Sequence, residues 1–197
     1  MAPRTNELER TTSETSVSVR LDIDGEGTTE ISTGVGFFDH MLEQLGRHAA
    51  FNVQVKAKGD LHIDAHHTVE DVGIALGEAL KGALGTKRGI RRFGWSIVPM
   101  EEALTRVALD LSGRPLLVYD VKVPAEAIGN YDPDLTEEFF TAFTRSAGIT
   151  LHVKLLAGKN SHHIVESVFK AVARALADAV SVESSRSSQI PSTKGVL

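Results

Sequence analysis

The 197-residue sequence contains no cysteine, so disulfide bonds and thiolate metal ligands are excluded. Any metal ion that the chain binds must therefore be held by nitrogen and oxygen atoms. No apolar run reaches the roughly 18 residues that a membrane span requires, and residues 1–20 are polar and lack an apolar signal core. These absences predict a cytoplasmic protein with no membrane-spanning segment.

Basic side chains are too few to form a nucleic-acid-binding surface. The chain has 21 Lys and Arg residues against 26 Asp and Glu residues, which gives a net charge of −5. The longest basic segment, residues 87–92, is sized for one phosphate group and is too short to follow a phosphate backbone. The composition therefore argues against nucleic acid as a partner and is compatible with a small phosphorylated molecule.

Two copies of a His-His-x-x-Glu pattern, at residues 66–70 and 162–166, each open an Ala/Leu-rich helical run. On a helix, the Glu lies four residues after the first His and three after the second, so imidazole and carboxylate converge on one face. Adjacent histidines diverge by roughly 100° about the helix axis, so each is better placed to serve a different ion. The pattern predicts a two-ion site, for which Mn, Fe, Co, Ni and Zn all suit the donors. The alternative is that such pairs merely cap a helix and bind water.

The duplication extends beyond the histidines. Residues 21–25 are echoed by residues 109–113, and the Phe pair at 37–38 is echoed by the pair at 139–140. These markers and the His-His-x-x-Glu blocks occur in the same order, with separations of 88, 102 and 96 positions. The unequal separations indicate two copies that differ by loop insertions and deletions.

Hydrophobic periodicity predicts the same elements in both copies. In the first, residues 17–23 and 28–32 alternate as a hairpin, helices are expected at 37–48 and 66–85, and strand alternation resumes at 51–55. The second copy is expected to have strands at 104–111, 116–123 and 149–156, and helices at 134–147 and 161–182. We predict one α+β domain over residues 1–197, internally duplicated into two lobes, each a small sheet covered on one face by two helices. The halves span about 15–85 and 104–182, and a flexible C-terminal tail spans 183–197.

Five motifs in this chain together resemble the imidazoleglycerol-phosphate dehydratase family of histidine biosynthesis. They are Gly-Phe-Phe-Asp-His-Met-Leu at 36–42, His-His-Thr-Val-Glu-Asp at 66–71, Asp-Leu-Ser-Gly-Arg-Pro at 110–115, Ser-His-His-Ile-Val-Glu at 161–166 and Pro-Ser-Thr-Lys-Gly at 191–195. They span nearly the whole chain in the family order. The resemblance implies a shell of 24 identical subunits and two Mn²⁺ ions per active site, shared between neighbouring subunits.

The resemblance also implies roles for individual residues. The implied metal ligands are His40, His66, His67, Glu70, His162, His163 and Glu166. The implied catalytic residues are Glu14, His67, Glu70, His163 and Glu166. The implied substrate-binding residues are Glu14, Gln44, Arg92, Arg114, Lys170, Ser192 and Lys194, of which Arg92, Arg114, Ser192 and Lys194 would hold the phosphate.

The implied reaction removes water from D-erythro-imidazole glycerol phosphate and gives imidazole acetol phosphate. The hydrogen that leaves sits on a carbon beside the imidazole ring and has no carbonyl to acidify it. Two ions that bind the ring as imidazolate would stabilise the resulting charge. We expect Glu14 to transfer a proton.

The chain departs from the family pattern at Glu138. Many relatives have Glu-His-Phe-Phe where this chain has Glu137-Glu138-Phe139-Phe140. Either Glu138 ligates through oxygen in place of the His, or water fills that coordination position. Two other functions stay open on the residues alone. They are a dinuclear hydrolase of phosphate esters and a metal-storing shell without catalytic activity.

Overall fold

A computed structural model describes residues 3–124 and 127–197. The described residues form eight β-strands and four α-helices, followed by one short 3-10 helix at Ser184–Arg186. The first half contains β1 (Thr5–Thr11), β2 (Thr15–Asp22), β3 (Thr29–Ser32), α1 (Gly36–Ala49), β4 (Asn52–Gly59) and α2 (His66–Leu84). The second half contains β5 (Phe93–Met100), β6 (Ala103–Asp110), β7 (Leu116–Asp120), α3 (Leu135–Ala147), β8 (Thr150–Ala157) and α4 (Ser161–Val180).

The two halves have the same topology. Their sheets have the strand orders β1-β2-β4-β3 and β5-β6-β8-β7. In each sheet the first three strands are antiparallel, and the last strand pairs in parallel with its neighbour. The predicted α+β class and internal duplication are therefore confirmed.

The predicted hairpin between β2 and β3 is wrong, because β3 pairs with β4 on the far side of the sheet. The turn after β2 is held by Asn52, whose Oδ1 accepts hydrogen bonds from the backbone N of Glu26 and of Thr28, both at 3.0 Å. A Cβ on Gly25 would lie 2.6 Å from the Asn52 nitrogen, so this close approach requires glycine. The turn thus carries the chain past β2 and delivers β3 beside β4.

The hydrophobic periodicity of the sequence did not predict the first strand of either half. On β1 the apolar positions are few, and both β1 and β5 are edge strands with one exposed face. Pro99 lies within β5, which an edge strand tolerates because one side of its backbone needs no partner. Each half consequently begins with a strand that the predicted boundaries of about 15 and 104 leave out.

The helices pack between the two sheets. Helix α2 packs on β1 and β2, α4 packs on β5 and β6, and across the halves α2 contacts α3 while α1 contacts α4. Gly73 and Gly77 permit the close crossing of α2 and α3, since a Cβ at either position would lie 2.8 or 2.6 Å from a carbonyl oxygen of α3. The packing of α1 on α4 brings the two halves together at the start of α4.

The C-terminal segment lies against the loop before β5. Gly89 donates a backbone hydrogen bond to Gln189 and accepts one from Glu183, both at 2.8 Å, and the Arg92 guanidinium donates to the Pro191 carbonyl at 2.8 Å. Flexibility of the tail stays a prediction. Within the described residues, no helix is both long and apolar enough to cross a membrane.

Candidate metal and substrate site

Three potential metal donors from two helices meet at the start of α4. His40 of α1, together with His162 and Glu166 of α4, offers ligand atoms that all lie within 4.8 Å of one another. Glu166 Oε2 is 3.0 Å from His162 Nε2 and 3.8 Å from His40 Nε2. The edge of the Phe37 ring packs against His162 at a centroid distance of 5.0 Å. Two imidazoles and one carboxylate are a donor set that suits a first-row divalent metal.

Glu166 is buried but remains a carboxylate at neutral pH. Burial acts to raise its pKa, but the Lys170 ammonium, 2.6 Å from Oε1, together with His162 and His40 leaves the pKa below its usual range. Lys170 also lies 3.4 Å from the Met100 sulfur. Burial and the Lys170 charge lower the pKa of the nearby His48, whose Nε2 is 3.2 Å from Gln44 Oε1. The predicted substrate residue Lys170 therefore lies beside the donor cluster, and the predicted substrate residue Gln44 contacts His48.

The first His-His-x-x-Glu block lies in a different setting. His66 starts α2, and its backbone N donates to Asp64 Oδ1 at 2.8 Å. His67 Nδ1 is 2.9 Å from Asp60 Oδ2, and this hydrogen bond raises the pKa of His67 and lowers that of Asp60. Glu14 Oε2 lies 3.8 Å from the same Nδ1 atom. The structure thus brings the predicted proton-transfer residue Glu14 to the first block.

The second block has a corresponding carboxylate that the sequence analysis missed. His163 Nδ1 is 2.6 Å from Glu102 Oε2, and this hydrogen bond, together with weaker contributions from backbone N–H groups that include Asn160, lowers the pKa of Glu102 to about 2. Glu102 immediately precedes β6, as Glu14 immediately precedes β2. The 88-position separation between residues 21 and 109 also leads from Glu14 to Glu102. The internal duplication therefore carried a signal that could have found this residue.

His66 and Glu138 line one cleft, together with Asp64, Asp132 and Asp134. Within the described chain, however, His40, His162 and Glu166 are the only group of three donors whose ligand atoms all lie within 4.8 Å of one another. Among the residues that the structure describes, the first block, His66 and Glu70 included, forms no equivalent set. Whether Glu138 replaces a family histidine stays a prediction.

The predicted phosphate-binding arginines gather around Asp110. Arg92 forms a two-pronged ion pair with it, with Nε 2.7 Å from Oδ1 and Nη2 3.0 Å from Oδ2. Arg114 is 3.8 Å from the same carboxylate, and its side chain is 68% exposed. The Ser192 hydroxyl accepts a hydrogen bond from the Lys194 backbone N, one residue beyond the Pro191 carbonyl that Arg92 contacts. The four predicted phosphate residues are therefore neighbours, with contacts to Asp110 and the tail.

Comparisons with known proteins agree with this arrangement. A family model described as imidazoleglycerol-phosphate dehydratase matches residues 33–176. Imidazoleglycerol-phosphate dehydratase of Cereibacter sphaeroides is 58% identical over 194 residues, covering 98% of this chain and 100% of that protein. The enzyme of the same name from Acetivibrio thermocellus is 58% identical over 191 residues, covering 97% of each chain.

Solved structures agree as well. The crystal structure of imidazoleglycerol-phosphate dehydratase from Staphylococcus aureus superposes with a TM-score of 0.83 at 36% identity, covering 91% of this chain and 99% of that one. The enzyme from Pyrococcus furiosus, in complex with (S)-C348, also gives a TM-score of 0.83 at 36% identity, over 96% of this chain and all of that one. The resemblance seen in the sequence is confirmed: this chain belongs to the imidazoleglycerol-phosphate dehydratase family and is a hydro-lyase.

Proposed function

We propose that this protein removes water from D-erythro-imidazole glycerol phosphate to give imidazole acetol phosphate, in the cytoplasm and as part of histidine biosynthesis, with two Mn²⁺ ions per active site. The observation that supports metal dependence most strongly is the convergence of His40, His162 and Glu166 within 4.8 Å. These donors contain no sulfur, and Lys170, His162 and His40 around Glu166 keep its pKa below the usual range despite its burial. The residues present therefore fit a divalent ion of the manganese class.

The residues that would hold the ions come from both blocks and from α1. They are His40, His66, His67, Glu70, His162, His163 and Glu166. Manganese bound there would act as a Lewis acid on the imidazole ring of the substrate and would lower the energy of the ring anion. Glu138 shares a cleft with His66, which supports an oxygen donor at the position where relatives carry a histidine.

Glu14 would transfer the proton at the substrate carbon. Its carboxylate is half exposed and lies 3.8 Å from His67 Nδ1, so it can reach a ligand held by the first block and still exchange protons with water. A carboxylate in reach of the reacting carbon typically contributes about 10²–10⁴ in rate as a general base or acid. His67, Glu70, His163 and Glu166 would contribute to catalysis by holding the ions.

The phosphate would bind near the tail. Arg114 is exposed and its nearest carboxylate is 3.8 Å away, so its guanidinium has donors available for a phosphate. Arg92 is already bound to Asp110 and to the Pro191 carbonyl, so it orients the tail segment that carries Ser192 and Lys194. Gln44 and Lys170 would contact the substrate near the ring, beside the donor cluster.

We also propose that the site is completed by a second copy of the chain, in a shell of 24 subunits. Two observations support association. Within the described part of one chain, the first block belongs to no group of three donors whose ligand atoms all lie within 4.8 Å of one another. The outer face of the second sheet also exposes large apolar side chains, a feature typical of an interface. These side chains are Phe93, Trp95, Ile97, Leu116 and Val118.

The activity is tested by incubating Mn-reconstituted protein with imidazole glycerol phosphate and following the enol or ketone product by absorbance. We expect product formation that stops when a chelator removes the metal. Release of inorganic phosphate in place of water would instead support a phosphate-ester hydrolase. Tight metal binding with no turnover would support metal storage. Size measurement by light scattering tests the shell, and a monomer under conditions of full turnover would contradict it.

A further inference from the structure

We infer that Asp60 and Glu102 are positioning residues, whose carboxylates hold the imidazoles of His67 and His163 with Nδ1 hydrogen-bonded and Nε2 directed to a metal ion. The inference builds on the proposed metal-dependent function and assigns the residues that prepare two of its ligands. In each block it is the second histidine that makes this contact. The two carboxylates come from segments outside the helices that carry the histidines.

In the first half, Asp60 immediately follows β4. Its side chain is only 12% exposed, and its Oδ2 lies 2.9 Å from His67 Nδ1. Its other oxygen is buried and has no hydrogen-bond partner among the described residues. A buried carboxylate with one oxygen unused otherwise costs stability, so its single bond to the imidazole calls for a functional reason.

In the second half, Glu102 lies in the turn between β5 and β6 and is held more firmly. Its Oε2 is 2.6 Å from His163 Nδ1, while Oε1 accepts hydrogen bonds from the backbone N of Lys159 at 3.1 Å and of Asn160 at 2.8 Å. The Asn160 side chain in turn caps α4 by accepting from the backbone N of His162 and His163. The carboxylate is therefore fixed to the same loop that starts the ligand-bearing helix.

The chemical effect of this contact is specific. A neutral imidazole carries its proton on one nitrogen, and a carboxylate at Nδ1 favours the tautomer with the proton there. The lone pair of Nε2 is then free to bind a metal, and the charge of the carboxylate makes the imidazole a stronger donor. His162 differs, because its Nε2 lies 3.0 Å from Glu166, which belongs to the donor cluster itself.

The carboxylates that contact the two histidines are at non-equivalent positions of the two halves. The contact is therefore not a feature that duplication simply copied. The residue that follows β8, where Asp60 follows β4, is Gly158 and has no carboxylate. The residue equivalent to Glu102 in the first half is Glu14, which lies 3.8 Å from His67 Nδ1. The same His Nδ1 to carboxylate geometry is therefore supplied twice by non-equivalent residues.

The test measures the Mn²⁺ dissociation constants of the wild-type protein and of four variants by competition with a metallochromic chelator. The variants are Asp60→Ala, Asp60→Asn, Glu102→Ala and Glu102→Gln. Loss of an outer carboxylate typically weakens metal binding by about 10–100-fold, and we expect this for both Ala variants. The Asn and Gln variants keep an oxygen acceptor, so their losses should be smaller. The control is Glu30→Gln, which breaks the ion pair between Glu30 and Lys56 on the outer face of the first sheet.

The unfolding midpoint of each metal-free variant is measured alongside. Weaker Mn²⁺ binding in a variant whose midpoint stays well above the titration temperature, so that the metal-free chain is folded throughout, supports positioning. Unchanged Mn²⁺ affinity in both Ala variants, or an affinity loss that only follows a lowered midpoint, overturns it. Failure of the proposed function is separate. If the wild type binds two Mn²⁺ ions per chain but converts no imidazole glycerol phosphate, the dehydratase activity fails while the dissociation constants still decide the roles of Asp60 and Glu102.

Discussion

The second half of the molecule gathers metal donors that the first half leaves dispersed. At the start of α4, His162 and Glu166 are joined by His40 from the other half of the chain. At the start of α2, His66 and Glu70 have no such third donor within the described residues. Two blocks with the same spacing therefore have different surroundings, because the helix that packs beside each block differs. The spacing along one helix thus provides two donors, and the packing of a second helix provides the third.

The buried contacts behind the two blocks have also diverged. In the first half, Asp71 forms an ion pair with Arg10 at 2.8 Å and accepts a hydrogen bond from the Thr15 hydroxyl. At the corresponding place in the second half, Ser167 shares a neutral hydrogen bond of 2.7 Å with Thr105. The same connection between a strand and a helix is thus charged in one half and neutral in the other.

The outer faces of the two sheets differ in polarity. The first sheet exposes ion pairs such as Arg20 with Glu7 and Lys56 with Glu30. The second exposes Trp95, which is 63% accessible and lies 5.8 Å below the Arg91 guanidinium. Among the described residues, the outer face of the second sheet is therefore the more apolar of the two.

Loss of a metal donor from either block should have the largest effect on turnover. We expect His162→Ala to reduce bound Mn²⁺ from two ions to one per chain and to lower turnover by about 10³-fold or more, because one Lewis acid is lost. His66→Ala should give a loss of the same order, although its surroundings differ. Metal content is read by elemental analysis and turnover by product absorbance. Glu30→Gln on the outer face of the first sheet is the control, and normal turnover in His66→Ala would show that the first block is not part of the site.

Glu14 and Glu102 occupy corresponding turns and should differ in what they affect. We expect Glu14→Gln to keep its Mn²⁺ content and to lower turnover by about 10²-fold or more, since a proton-transfer group is lost. The exposed Glu9→Gln on β1 should behave as wild type. Steady-state kinetics at saturating Mn²⁺ measures the effect. Near-normal turnover of Glu14→Gln would remove Glu14 from the chemistry.

The buried contacts of the two halves should differ in their contribution to stability. Asp71→Ala removes hydrogen bonds to a charged group and should lower the free energy of unfolding by about 2 kcal/mol. Ser167→Ala removes a neutral hydrogen bond and should cost about 1 kcal/mol. Chemical denaturation of the metal-free proteins measures both. Equal losses would show that the charge at Asp71 contributes nothing beyond the hydrogen bonds.

The smallest expected effect is on the pH dependence of stability in the metal-free protein. Because the pKa of Glu102 falls from 4.5 to about 2 in the folded state, its stabilisation is present above pH 4.5 and is lost as the pH falls towards 2. The pKa of His67 is raised, so its stabilisation is present below 6.5 and is lost as the pH rises through the raised value. Glu102→Gln should reduce the fall in the unfolding midpoint between pH 4.5 and 2. Asp60→Asn should also reduce the fall in the midpoint above pH 6.5. Unfolding midpoints across this pH range check both signs, and parallel profiles for the two variants would contradict them.

The sequence allowed prediction of both long helices that carry the blocks, because their apolar stripes have a clear helical period. It did not show β1, which has few apolar residues, or β5, whose apolar side chains face outward and which contains Pro99. It also paired β3 with the wrong strand, because the turn after β2 is held by Asn52 of β4. The spacing of the blocks placed His162 and Glu166 on one helical face. The approach of His40 depends on the packing of α1 against α4, which local spacing does not encode. Asp60 and Glu102 lie in loops, where only the fold shows what their side chains contact.

The central claim is that both blocks hold metal and act together. It is tested most directly by measuring turnover of imidazole glycerol phosphate while Mn²⁺ is added stepwise to the metal-free protein. The account predicts no turnover without metal and a rise that ends at two bound ions per chain. Full turnover in the metal-free protein, or a plateau at one bound ion, would contradict it.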